Sequence, residues 1–317
     1  MKSTDRHRSV AEIRRFVALN SRAATTLTFC GAWPPSGGGP CGLRNAATGR
    51  WRSVWIAAAT LLATTASAAN LVDLRVYPAE VKLETAQDRQ SIVVQAVFDD
   101  TTTRDVTGEA TFAVADGAKL KIENAAALPL ADGATEIAVA WGGREVKLPA
   151  KILEAAASRP VRFTPDVMPV FMKYGCNTGP CHGSARGQDG FRLSLFGYDP
   201  AGDHHRITRE LSGRRINLAH PEESLLLKKP TMAVSHGGGQ RLIKHSLDYQ
   251  ILTAWLRSGT PAPKADEPEV AKLEVYPRQR LASVGQTQQL RIVAEYKTGL
   301  RRDVTGLAKF DSLDESA

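Results

Sequence analysis

Short runs of alternating apolar and polar residues fill the stretch from Leu71 to about Glu154. Leu74-Arg75-Val76-Tyr77-Pro78 opens a strand, and Ile92, Val94, Ala96 and Phe98 recur at period two. Asp99-Asp100-Thr101 reads as a turn, after which Val106, Ala110 and Phe112 continue the pattern. Thr135–Trp141 and Glu145–Ile152 alternate on either side of Gly142-Gly143, a hairpin signal. No helix-length periodic run interrupts them. The pattern predicts an all-β sandwich of short strands over residues 70–155.

The period changes over residues 160–263. Thr164 is placed to cap a helix with Pro165 at its first position, running through Met168, Phe171 and Met172 to Gly175. A shorter helix is expected from Pro221, carrying Glu222, Glu223 and Leu225-Leu226-Leu227. Ser246 caps a third, with Leu247, Ile251, Ala254 and Trp255 on one face and Gly259 and Pro261 as its stop. The prediction is a mainly α module, followed by a linker from Pro261 to Pro268.

Part of the first pattern then returns. Leu273-Glu274-Val275-Tyr276-Pro277 repeats the strand opening about 199 residues on. Arg302-Asp303-Val304-Thr305-Gly306 matches Arg104-Asp105-Val106-Thr107-Gly108 at an offset of 198. Both segments resemble the bacterial Ig-like group 2 domain, in the x-V-x-P opening and the D-V-T turn. The second copy, residues 270–317, is about half as long as the first. A half sandwich leaves open edges, so the natural protein is expected to continue.

Charge changes the picture only at the N-terminus. The net charge is +8, but residues 1–69 hold nine Lys/Arg against Asp5 and Glu12, leaving about +1 elsewhere. That argues against a nucleic-acid surface. Arg50-Trp51-Arg52, the apolar run Val54–Ala63 and Ala66-Ser67-Ala68 read as a cleaved export signal. The run is too short to span a bilayer comfortably, so no membrane attachment is expected after cleavage. Cys30 and Cys41 fall inside this leader. The expected location is periplasmic or the cell surface.

The candidate chemistry lies at Cys176-Asn177-Thr178-Gly179-Pro180-Cys181-His182. Two thiols followed at once by an imidazole can bind haem covalently and ligate its iron from one face. Four residues separate these cysteines, where the commonest attachment motif has two. On the far face the candidates are His236 and Met232, or an open site. His236 is followed by Gly237-Gly238-Gly239, which would let backbone approach a flat macrocycle. His204-His205 read as a solvated helix face, His220 and His245 as cap or loop residues, and Trp255 as core. The cysteines could instead form a structural disulfide. No nucleophile triad, phosphate loop or paired-carboxylate arrangement stands out.

Gly175-Cys176-Asn177, Cys181-His182-Gly183, Gly190–Leu195, Pro221–Leu227 and His236–Gly239 together resemble the cytochrome c-like domain of large exported planctomycete proteins. The resemblance covers about a third of the chain, and it implies haem c as cofactor. The expected function is electron transfer or redox sensing between Ig-like spacers, with a redox protein or downstream domains as partner. Two alternatives stand beside it: a non-redox adhesion protein stapled by a Cys176–Cys181 disulfide, and the accessory front end of a larger exported enzyme. Whether the whole protein is an enzyme stays open.

Overall fold

The computed structural model describes residues 69–280 and 285–312; the predicted export signal, with Cys30 and Cys41, lies outside them. Strand exceeds helix, 30% to 20%, so the chain is mostly β with few helices. The first segment holds ten strands: β1 (Leu71–Tyr77), β2 (Val81–Thr85), β3 (Gln90–Ser91), β4 (Val93–Phe98), β5 (Thr103–Asp105), β6 (Thr111–Val114), β7 (Leu120–Glu123), β8 (Ala126–Pro129), β9 (Gly133–Trp141) and β10 (Arg144–Glu154). They form sheets ordered β1-β4-β5, β2-β10-β9-β6 and β3-β8-β7, an arrangement compatible with an Ig-like β domain. Every pairing is antiparallel except β10 with β2. Leu74, Leu83, Val94, Ile137, Leu148 and Ile152 meet in one buried core. The β9–β10 hairpin turns through Gly142 and Gly143, both at positive φ, where glycine has no Cβ to strain.

Strand β4 departs from simple alternation. Ile92, Val94 and Ala96 face the core as the period demands, but Val93 and Gln95 are buried too, so both faces of the strand are covered. The D-V-T element beside it has a clear physical role. Asp105 Oδ1 accepts from the Thr107 amide at 2.9 Å and its hydroxyl at 2.6 Å, and Thr107 Oγ1 accepts from the Val94 amide at 2.9 Å. Aspartate closes the turn, and threonine satisfies a strand amide that would otherwise be buried without a partner.

Strands β11 (Val270–Tyr276), β12 (Arg291–Tyr296) and β13 (Arg301–Asp303) repeat the β1-β4-β5 sheet in order and register: Val293 pairs with Asp303 as Gln95 pairs with Asp105. Asp303 and Thr305 reproduce the capping bonds, at 2.9 Å each, to the Thr305 and Ile292 amides. Here Glu274 is 8% exposed and accepts from Lys272 Nζ, Tyr276 Oη and Arg301. The Lys272 bond leads in holding its carboxyl down, from 4.5 to about 2. A depressed carboxylate pKa stabilises fully above the unfolded value and is lost as pH falls through the folded one. Amide protection in β12 should therefore weaken between pH 4.5 and about 2, and this acid dependence should flatten in Glu274→Gln. Equal pH profiles in the two proteins would refute it.

The middle segment is less helical than its periodicity predicts. Its helices are α1 (Met168–Lys173), α2 (Pro200–Thr208), α3 (Leu225–Lys228) and α4 (Leu247–Arg257), four to eleven residues long, and loops fill the remainder. Thr164 does not cap the first. The Phe163–Val167 stretch is a wider π-type turn, anchored by the Arg162 amide donating to Asp166 at 2.9 Å. Extended Ser224 breaks the second into a 3-10 turn, Pro221–Glu223, and α3, because its hydroxyl is held by the Asn217 amide at 3.0 Å. Ser246 does cap α4, accepting from the Tyr249 amide at 3.3 Å.

The buried face of α4 runs through Asp248, Tyr249, Leu252, Trp255 and Leu256, while Ala254 is exposed and Leu247 largely so. The expected stripe is rotated because Trp255, the largest side chain, sets which face goes inward. Its ring is fully buried 5.3 Å from that of Phe163, and its indole N–H donates to the Pro261 carbonyl.

Candidate functional site

The entry of α1 into the cysteine loop is fixed by backbone chemistry. Gly175, at φ 67°, follows the helix; its amide donates to Met172 O at 3.1 Å and that of Cys176 to Phe171 O at 2.8 Å. These are the paired bonds of a Schellman cap, which needs a left-handed residue at Gly175. The loop then closes on itself. His182 N donates to Cys176 O at 2.9 Å, Cys181 N to Thr178 O at 3.0 Å, and Gly183 N to Thr178 O at 2.9 Å. A Cβ at position 183 would collide with the Asn177 carbonyl, so glycine is required directly after the histidine.

Cys176 and Cys181 are free thiols in this structure. Burial, with Cys181 adding to it, pushes the Cys176 thiol up to about 11, and at neutral pH it stays protonated. His182 rests on Phe191, ring centroids 4.6 Å apart, and its Nδ1 lies 2.9 Å from the Phe191 carbonyl. Since a carbonyl only accepts, Nδ1 carries the proton and Nε2 keeps its lone pair. Burial lowers the His182 pKa, favouring the same neutral form.

His236 is arranged the same way. Its Nδ1 donates to the Gly239 carbonyl at 2.8 Å, so Nε2 is the nitrogen outside that bond. The glycine run serves this turn, a role distinct from the macrocycle approach expected of it. Gly239 sits at φ 70°, and a Cβ on Gly238 would stand 3.0 Å from the imidazole. His182 and His236, 54 positions apart, face each other with ring centroids 6.5 Å apart and planes inclined by 16°. That separation would suit two metal–imidazole bonds of about 2 Å each only with both Nε2 atoms turned toward one shared ion.

Both imidazoles and both cysteines line one cavity of about 510 Å³. Its apolar walls include Val170, Phe171, Leu193, Leu226, Leu242 and Leu252. Arg214, Arg215, Lys229 and Arg241 line it as well, against Asp189 as the one acid. Arg215 lies over the Phe191 ring at 4.2 Å. A large apolar body with a carboxylate-bearing edge suits these walls. Among the described residues, no cluster of three or more His, Cys, Asp or Glu could hold a bare metal ion. The two facing imidazoles would serve an ion whose other ligands come with it, as in haem.

The remaining candidates lie elsewhere. Met232 does not line the cavity; it is 47% exposed, at φ 62°, on the turn after α3. His204 is not a solvated face residue, since its Nε2 donates to Thr260 O at 2.9 Å and its ring packs edge-on against Phe163. His205 is exposed, and Trp255 belongs to the core away from the cavity. Sequence reasoning missed the two carbonyls that orient the imidazoles, at Phe191 and Gly239. It also missed Tyr174, a cavity wall whose hydroxyl donates to buried Asp248 at 2.6 Å beside Lys173 at 2.7 Å. Burial leads in raising the Tyr174 pKa, with the Asp248 bond adding to it, so its hydroxyl stays protonated.

No helix among the described residues is long and apolar enough to cross a membrane. No known family profile matches the chain, and no curated protein matches it. Among solved structures, it is similar to the S-layer protein rSbsC(31-844), with 14% identity and a TM-score of 0.24 over 31% of this chain and 14% of that one. Domains 4 and 5 of S-layer protein SbsC give 20% identity and a TM-score of 0.19, over 27% of this chain and 54% of that one. The chain thus spans only part of these proteins, and at such TM-scores the likeness carries no argument about function.

Proposed function

We infer that the middle module is a haem-binding electron-transfer or redox-sensing unit of an exported protein. The observation that carries this reading is the nearly parallel pair of imidazoles on one cavity, each with Nδ1 tied to a backbone carbonyl and Nε2 outside that bond. His182 and His236 would hold the iron, and Cys176 and Cys181 the vinyl groups. Each thiol would add its S–H across one vinyl double bond, forming an S–C and a C–H bond with nothing leaving. Bound iron supplies a one-electron couple. The apolar walls would keep water from such a group, and Arg214, Arg215, Arg241 and Lys229 would offer cations to its carboxylates.

Haem should remain on the denatured wild-type chain made with a haem-attachment system; haem that extracts freely would remove covalent attachment. His236→Ala should change the low-spin absorption spectrum, whereas Met232→Ala should leave it as in wild type. The reverse pattern would give the far-face position to Met232. Two imidazoles should also hold the reduction potential below that of a histidine–methionine pair.

A further inference from the structure

The two β segments touch through contacts related by the repeat itself. The Ser91 amide donates to Asp303 Oδ2 at 2.7 Å, and the Gln289 amide donates to Asp105 Oδ2. Ser91 and Gln289 stand 198 positions apart, as do Asp105 and Asp303. Each bond is therefore the other with the copies exchanged. Tyr77 and Tyr276, the equivalent residues of the two strand openings, stack with centroids 5.9 Å apart. Reciprocity of this kind defines an isologous, two-fold interface, which normally joins separate identical subunits.

Burial gives independent support. Val93 and Gln95 lie on the outer face of β4 and outside its module's core cluster, yet they are 0% and 3% exposed. The equivalent Arg291 and Val293 of β12 are buried as well, at 7% and 3%. An outer sheet face is covered at the same position in each copy, next to the tyrosine pair. The division of labour within each aspartate fits too. Oδ1 closes its own turn and Oδ2 reaches the other copy, with Asp303 Oδ2 also 3.3 Å from Arg291 Nε of its own copy, so the Arg-Asp-Val-Thr-Gly pentapeptide serves as both cap and docking element.

We propose that the two Ig-like segments form an intramolecular quasi-two-fold pair, held by Asp105 and Asp303, which closes the chain into a loop around the middle module. They are docking partners for one another, where independent spacers were expected. The second copy also grips the middle module: Arg302 lies 3.4 Å from Asp166, and Lys173 Nζ donates to Gly306 O at 2.7 Å.

The test is residue-resolved hydrogen exchange on the full chain with Asp303→Asn and, separately, Asp105→Asn. Asparagine can keep the cap through its oxygen while turning an NH2 donor toward an amide that is itself a donor. Asp303→Asn should speed exchange at Ser91, in the other copy, roughly tenfold or more, while the Val304 amide bonded to Ile292 O stays protected. Asp105→Asn should do the same at Gln289 and spare Val106, bonded to Val94 O. Should Asp303→Asn unfold its shorter module, the Asp105→Asn arm decides. Ser91 and Gln289 amides already exchanging freely in the wild type, or unchanged in both variants, would overturn the proposal.

Discussion

Replacing both cysteines, as Cys176→Ala with Cys181→Ala, is expected to abolish retention of haem on the denatured chain. The expectation follows from the loop that carries them. The Schellman cap at Gly175 fixes where Cys176 leaves α1, and the His182-to-Cys176 backbone bond ties His182 to the same loop. Burial raises the Cys176 pKa and holds that sulfur as S–H at neutral pH. Mass spectrometry of the denatured double variant should show only the bare chain. Each single variant should retain haem through its remaining thiol. The double variant can still bind haem before denaturation, because His182 and His236 do not depend on either sulfur. Haem persisting on the denatured double variant would place attachment elsewhere. A double variant that also loses the low-spin spectrum in the native state would show that the loop itself had collapsed.

Trp255→Ala should be the most damaging single change to the middle module's stability. Its ring is fully buried against Phe163 and His204, and its N–H is bonded to the Pro261 carbonyl. Removing it leaves a large cavity and an unpaired carbonyl, a loss of about 3–5 kcal/mol for such a truncation. Denaturant-dependent exchange of the α4 amides measures it, with Thr260, bonded to Trp255 O, as the most local probe. A loss below about 1 kcal/mol would mean that the site collapses around the deletion. Tyr198→Ala, at a residue 78% exposed, should stay within about 0.5 kcal/mol.

The comparison of sequence with structure divides along physical lines. Strand alternation and the D-V-T turn were legible because both are local: one is set by the period of the pleat, the other by bonds spanning two residues. The cysteine–histidine run was legible for the same reason. What pairs with His182 was only narrowed to His236, Met232 or an open site, since 54 intervening residues must fold before His236 can face it. Helix content was over-read because Thr164, Pro165 and Pro221 are good starting residues whose neighbours use their hydrogen bonds otherwise. Arg162 and Asn217 donate outside any helix, to Asp166 and Ser224. The α4 stripe was misplaced because Trp255 carries more buried area than a count of apolar positions reveals. The burial of both faces of β4 and β12 is not contained in either strand's own alternation.

The paired aspartates have a mechanical consequence. Tension applied between β1 and β13 meets the contact between the copies before it stretches the intervening chain, because Asp105 and Asp303 bridge that path directly. Under the proposed docking, the cavity-bearing loop lies in parallel with the contact between the copies, and that contact shares the load. A protein pulled at its ends in this way would keep the two imidazoles at their spacing under strain that would shear a module strung in series.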